Sequence, residues 1–224
     1  MTLSNRKILR TLLCLLAGTL YAVCLSACDA KEPLSENRDA EIESPVIAND
    51  LSNQKVTAIA EDTQGHIWIG TFRGLNKNNV HDYHQYFCTD DSLGLPDNQI
   101  THLLRDSKNR FWVGTVNGVC LYTDKDNFRI IPIEADNKNV RQILEDRNGR
   151  IFLNTGFQLY AYHPREEKIT CVLPEISPGN AFYAQCHIAP DNNLWVMTST
   201  GLRCYDPSTL QLKESVALSG YPYY

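Results

Sequence analysis

His81 and His84, with Asp82 between them, come nearest to a metal pair in this 224-residue sequence. A structural zinc site takes four nitrogen or sulfur ligands and a catalytic one three. The other histidines, at 66, 102, 163 and 187, keep no common spacing, so the pair is expected to be solvated and no metal is expected. Asp82, Asp90, Asp91 and Glu134 fall in loop-like segments. Converging acids of that kind could serve a lyase or hydrolase, but their spacing selects no working pair. There is no G-x-S-x-G, phosphate loop, H-E-x-x-H or calcium-loop pattern. The expectation is a protein that is not an enzyme and uses no cofactor.

The eight cysteines contain no C-x-x-C pair, which argues against zinc and against a dithiol redox motif. Cys14 and Cys24 lie in an apolar N-terminal segment, and Cys28 closes it. Cys88, Cys120, Cys171, Cys186 and Cys204 remain, an odd number, and spacing cannot choose a disulfide among them. The net charge of -5 comes without a basic stripe, so nucleic acid is not an expected partner.

The aromatic residues carry a different message. Asp62-Thr-Gln-Gly-His-Ile-Trp-Ile-Gly-Thr71 is repeated as Asp106-Ser-Lys-Asn-Arg-Phe-Trp-Val-Gly-Thr115 and as Asp146-Arg-Asn-Gly-Arg-Ile-Phe-Leu-Asn-Thr155. A fourth copy, Ala189 to Thr198, keeps the tryptophan and the threonine. Trp68, Trp112, Phe152 and Trp195 are thus spaced by 44, 40 and 43 residues. Such faces could stack on a sugar ring. A residue found at the same place in every copy serves the architecture instead, because a ligand site usually breaks symmetry.

A period of about 40 to 45 residues with one tryptophan per unit is the mark of a β-propeller blade. Each copy reads as four short strands. Val56 and Ile59 start the first, a turn spans Asp62 to Gly65, Ile67-Trp68-Ile69 is a buried run, and Tyr83 to Phe87 closes the unit. Leu75, Val119, Leu159 and Leu202 recur seven residues after the aromatic, and Tyr122, Tyr162 and Tyr205 three further on. Cys186 stands where the others have Ile59, Leu103 and Ile143, so it is expected to be a core residue. The fold expected is all-β, about four four-stranded blades at 52–96, 97–136, 137–179 and 180–219. Trp68, Trp112, Phe152 and Trp195 would pack between successive blades, with Gly65 and Gly70 shaping the turns beside Trp68 and Gly114 and Gly149 belonging to the same structural repeat core.

Residues 1–28 have the form of an export signal: Arg6, Lys7 and Arg10, then an apolar run from Thr11 to Val23. The run ends in Leu25-Ser-Ala-Cys28, which resembles a bacterial lipobox. That resemblance implies lipidation of Cys28 and a membrane partner through the lipid anchor, and hence a periplasmic or outer-membrane location. Residues 29–51 are polar and acidic and are expected to be a tether.

From Asn53 to Leu75 the sequence is similar to the two-component regulator propeller repeat, and Gly94-Leu-Pro-Asp-Asn-Gln-Ile100 resembles the lead-in to that family's next blade. The resemblance implies the periplasmic sensor part of a hybrid two-component system, responsive to glycans or their breakdown products. A downstream or separate histidine kinase would be its partner and an oligosaccharide its ligand, with no output domain expected in this chain. Rings of that family have about seven blades, so four repeats imply part of a larger propeller. An interaction scaffold or a non-functional remnant is the alternative. The sequence assigns no ligand-binding residue.

Overall fold

Alternating apolar positions broken every eight to twelve residues by Gly, Asn and Asp turns build antiparallel meanders in the computed structural model. It describes residues 45–89, 94–123, 126–176, 184–198 and 201–217. Cys28, the export segment, most of the tether, Asp90 and Asp91 lie outside the described residues.

Seventeen strands are present among the described residues, in four sheets. Blade 1 contains β1 Val46–Ala48, β2 Val56–Glu61, β3 Ile67–Thr71, β4 Gly74–Asn79 and β5 Asp82–Tyr86. Blade 2 contains β6 Ile100–Arg105, β7 Phe111–Thr115, β8 Gly118–Thr123 and β9 Asn127–Ile131. Blade 3 contains β10 Gln142–Glu145, β11 Ile151–Asn154, β12 Leu159–His163 and β13 Lys168–Leu173. Blade 4 contains β14 Gln185–Ile188, β15 Leu194–Thr198, β16 Gly201–Tyr205 and β17 Leu212–Ala217. Blades 2 to 4 are plain four-stranded meanders. Their first strands, with β2, stand side by side in chain order, so each blade packs face to face on the next. This is the blade array that the period implies.

Blade 1 differs at its outer edge. Val46, Ile47 and Ala48 pair with Gln85, His84 and Tyr83 and add a fifth strand. The Asp50 carbonyl then accepts a bond from Gln85 Nε2 at 2.8 Å. The end of the segment expected to be a tether is therefore part of the blade. Its strand-forming residues are few, and what holds them is the free hydrogen-bonding edge of β5.

The turn after each first strand is built alike. Asp62, Asp106 and Asp146 each use Oδ1 to accept two backbone N–H groups, those two and four residues on, at 2.8–3.0 Å. Gly65, Asn109, Gly149 and Asn192 all take a left-handed conformation, φ +62 to +84, which only Gly and Asn adopt readily. Gly65 and Gly149 thus shape turns. Gly70, expected to shape a turn, instead sits inside β3, as Gly114 sits inside β7. A Cβ on Gly70 would lie 2.5 Å from Ile100 Cγ2, and one on Gly114 would lie 3.1 Å from Val140 Cγ1. Those glycines let the next blade approach. The recurring threonine closes the second turn, with Thr71, Thr115, Thr155 and Thr198 donating to the carbonyl three residues on.

Candidate functional site

Among the described residues three seams run between blades 1 and 2, 2 and 3, and 3 and 4. The first seam is filled by aromatic rings. Trp68, fully buried, has ring centroids of Tyr86, Phe111 and Tyr122 at 5.4, 5.1 and 4.7 Å. Phe111 and Tyr122 belong to blade 2, so Trp68 joins the blades. Trp112 meets Tyr162 of blade 3 at 4.9 Å. Phe152 lies in one cluster with Leu194, Val196 and Tyr205 of blade 4. These three aromatics each pack against the following blade. Trp195 is only half-buried, because no further blade covers it among the described residues. Tyr122, Tyr162 and Tyr205, ten residues after Trp112, Phe152 and Trp195, thus pack back on the preceding blade.

Behind the rings is a polar partner that turn grammar alone did not reveal. Trp68 Nε1 donates to Asp62 Oδ2 at 2.9 Å, and Trp112 Nε1 donates to Asp106 Oδ2 at 2.8 Å. Each aspartate therefore shapes a turn with one oxygen and holds the seam tryptophan with the other. Asp146 keeps the turn, but the Phe152 ring carries no N–H, and Asp146 Oδ2 is buried without a partner. In blade 4 the aspartate is Ala189. A sequence signal existed: the aspartate and the tryptophan six residues later are both intact only in the two best-kept repeats.

Burial raises the Asp62 carboxyl, but the Trp68 indole, the His66 and Gln64 backbone N–H groups and the His66 ring outweigh it and hold the pKa below the ordinary value. A second anchored carboxylate stands on the flank of the same seam. Asp126 Oδ1 accepts the hydroxyls of Tyr86, at 2.6 Å, and Tyr122, at 2.9 Å, with Lys77 Nζ at 4.0 Å. Burial again acts upward on Asp126 and is overcome by Tyr86, Tyr122, Lys77 and His84, so it too is held ionised. Both phenols are pushed up, by burial first and then by Asp126. They are donors and not bases.

The turns of neighbouring blades are tied together at one end of the array. Arg105 Nη1 reaches the Asp62 carbonyl at 3.0 Å, Glu145 accepts from Ser107 N and Oγ, and Arg147 N donates to Asn192 Oδ1 at 2.8 Å. Two clefts open here. One, of about 320 Å³, is lined by Asp62, Gln64, Arg105, Asn109, Phe111 and Tyr122, among others. The other, of about 480 Å³, lies across blades 2 to 4 and includes Ser107, Glu145, Arg147, His187 and Pro190. Both are within the size range of small-ligand sites. Unlike the rings, their linings do not repeat: the residue before the turn is Glu61, Arg105, Glu145 or Ile188.

Of the residues singled out for chemistry, the described ones, His81, Asp82, His84 and Glu134, do not line these two clefts. His81 is exposed in the β4–β5 turn, and His84 Nε2 lies 3.9 Å from Asp82 Oδ1. No group of three His, Cys, Asp or Glu side chains gathers among the described residues. Glu134 is exposed and lines a third cavity, of about 310 Å³, with Tyr160 and Cys171. Cys120, Cys171, Cys186 and Cys204 are free thiols. Cys186 is in the core, its thiol pushed up to about 12 by burial, as its repeat position implies. No helix among the described residues is long and apolar enough to cross a membrane.

Residues 50–73 and 94–117 match the profile of the two component regulator propeller family. A search of curated proteins finds no match. Among solved structures, the chain is similar to the extracellular domain of a hybrid two component system of B. thetaiotaomicron, at 24% identity and TM-score 0.62. That similarity covers 74% of this chain and 22% of the other. It is also similar to virginiamycin B lyase from Staphylococcus aureus, at 18% identity and TM-score 0.58, over 78% of this chain and 59% of that one. A streptogramin B lyase is similar at 15% identity and TM-score 0.58, over 79% and 60%. These likenesses concern the fold, and the chain spans about a fifth of the first of these structures.

Proposed function

We propose that this chain, whose first two blades are two component regulator propeller repeats, is an exported ligand-sensing module. Its ligand is a small polar molecule of the glycan class, taken at the end where the tied turns form clefts. The observation that carries the reading is the family match at residues 50–73 and 94–117. The neighbouring extracellular domain of a two component system supports export and a sensory role. Signal output would pass to a histidine kinase, and Cys28 would carry a lipid that holds the module at a membrane.

The cleft across blades 2 to 4 suits this role best. Ser107 and Glu145 are fixed by their mutual bonds, while Arg147 and His187 are exposed at its rim. Such a lining can orient hydroxyl groups, and a ligand there touches three blades at once. The test is thermal denaturation of the full chain against a panel of oligosaccharides. A ligand at about one hundred times its dissociation constant adds about 2.7 kcal/mol, which raises Tm by several degrees. Arg147→Ala and His187→Ala are expected to abolish the shift without lowering the unliganded Tm. A folded sample that responds to no glycan refutes the reading.

A further inference from the structure

The turn aspartate has two oxygens to satisfy, and the later repeats stop supplying the second one. In blade 1, Asp62 Oδ2 accepts Trp68 Nε1 at 2.9 Å and lies 3.1 Å from His66 Nδ1. In blade 2, Asp106 Oδ2 accepts Trp112 Nε1 at 2.8 Å and Arg110 Nε at 2.6 Å. Blade 3 keeps the aspartate and loses both donors. Phe152 stands for the tryptophan. Arg150, at the position of His66 and Arg110, passes over the Phe152 ring to the Pro207 and Ser208 carbonyls of blade 4. Asp146 is 3% exposed, and its Oδ2 is buried without a partner. In blade 4 the aspartate itself is replaced by Ala189. Asp146 and Ala189 both line the cleft across blades 2 to 4, together with Glu145.

Resting on the sensing role proposed for this cleft, we infer that its glycan is an amino sugar, whose protonated amine donates to Asp146 Oδ2 where the indole is missing. A buried carboxylate oxygen with no donor is costly. A cationic donor offsets that cost better than a hydroxyl, because a hydrogen bond between charged groups is the stronger kind. Turn formation does not account for the second oxygen, since asparagine makes the same turn with its single one. Glu145, which accepts Ser107 N and Oγ, places another carboxylate on the cleft wall. The basic side chains of the lining, Arg147 and His187, are exposed at the rim, where water and salt screen them from the amine. A neutral sugar offers Asp146 a hydroxyl and an N-acetylated sugar an amide, and both lack the charge.

Thermal denaturation and calorimetric titration of the full chain, at about pH 6 where a sugar amine is protonated, test this with matched sugars. Glucose, glucosamine and N-acetylglucosamine form one set, and the corresponding galactose compounds another. The amino form is expected to bind at least about tenfold more tightly than the other two. Asp146→Asn keeps the oxygen that shapes the turn and puts an N–H where the acceptor was, so it should bring the amino sugar down to its neutral counterpart. Phe152→Trp restores the indole donor and should weaken the amino sugar at least about tenfold, leaving the neutral sugars unchanged. Circular dichroism and the unliganded Tm check that both variants are folded. Ethanolamine, an amine without a sugar, is measured alongside. Neutral sugars that bind as tightly as the amino forms, or an amino sugar indifferent to both substitutions, overturn the amine contact and leave the glycan reading standing. A response to ethanolamine through Asp146, with none to any sugar, overturns the glycan reading and keeps the amine contact. Silence from every compound overturns both.

Discussion

Removing the indole donor from one seam and adding it to another measures what the aspartate–tryptophan bond contributes. In the first turn, the double-mutant cycle is Asp62→Ala, Trp68→Phe and the pair. Asp62→Ala alone removes the bonds from Gln64 N and His66 N and orphans the indole N–H, while Trp68→Phe alone removes ring volume and orphans a carboxylate oxygen. The common losses cancel in the cycle. What remains is one hydrogen bond to a charged acceptor, about 1.5–3 kcal/mol. In the third turn the cycle runs backwards. Asp146 Oδ2 has no partner and Phe152 has no donor, so Asp146→Ala is measured in the wild-type and in the Phe152→Trp background. The strain of the larger ring, about 1–3 kcal/mol, is common to both and drops out. Asp146 is expected to contribute about 1.5–3 kcal/mol more where the tryptophan is present. Urea unfolding with unchanged m-values is the assay. Couplings below about 0.5 kcal/mol in both turns, the scatter of non-interacting sites, would show that the aspartates form turns and nothing more.

Two further outcomes are expected. Gly70→Ala should destabilise by about 1–3 kcal/mol, and Gly114→Ala by less, because the new methyl meets Ile100 Cγ2 at 2.5 Å in one case and Val140 Cγ1 at 3.1 Å in the other. Equal losses in urea unfolding would contradict the packing argument. Asp62 and Asp126 have lowered pKa values, so the stability they contribute is complete above the ordinary carboxylate pKa and is lost as pH falls through their lower folded-state values. The urea midpoint should therefore hold from neutrality to about pH 4 and fall below it. An Asp62→Asn/Asp126→Asn variant should show a shallower acid decline, and an unchanged slope would exclude these two groups as its source.

The blades were legible because the hydrophobic period is local: each buried run, turn and left-handed Gly or Asn is decided within about ten residues. What escaped was long-range. Gly70 looks like a turn glycine beside a threonine, and only the approach of Ile100, thirty residues later, gives its reason. Val46–Ala48 is a strand because β5 leaves an edge open to it. The clefts were not legible at all, since their residues come from turns of different blades and share no motif.

The direction of the seams was also invisible in the repeat, and it changes how the substitutions are read. Tyr122, Tyr162 and Tyr205 face backwards, onto the aromatic of the blade before, whereas Trp68, Trp112 and Phe152 face forwards. A blade with no predecessor has no use for the tyrosine, and blade 1 has Asn78 there. By the same logic Val56, Ile59 and Ile67 of blade 1 should have become polar, and they have not. Val56, Ile59 and Ile67 are β-branched and lie in β2 and β3, so strand propensity favours them whatever the face meets, whereas Asn78 replaces a ring whose role is to pack backwards.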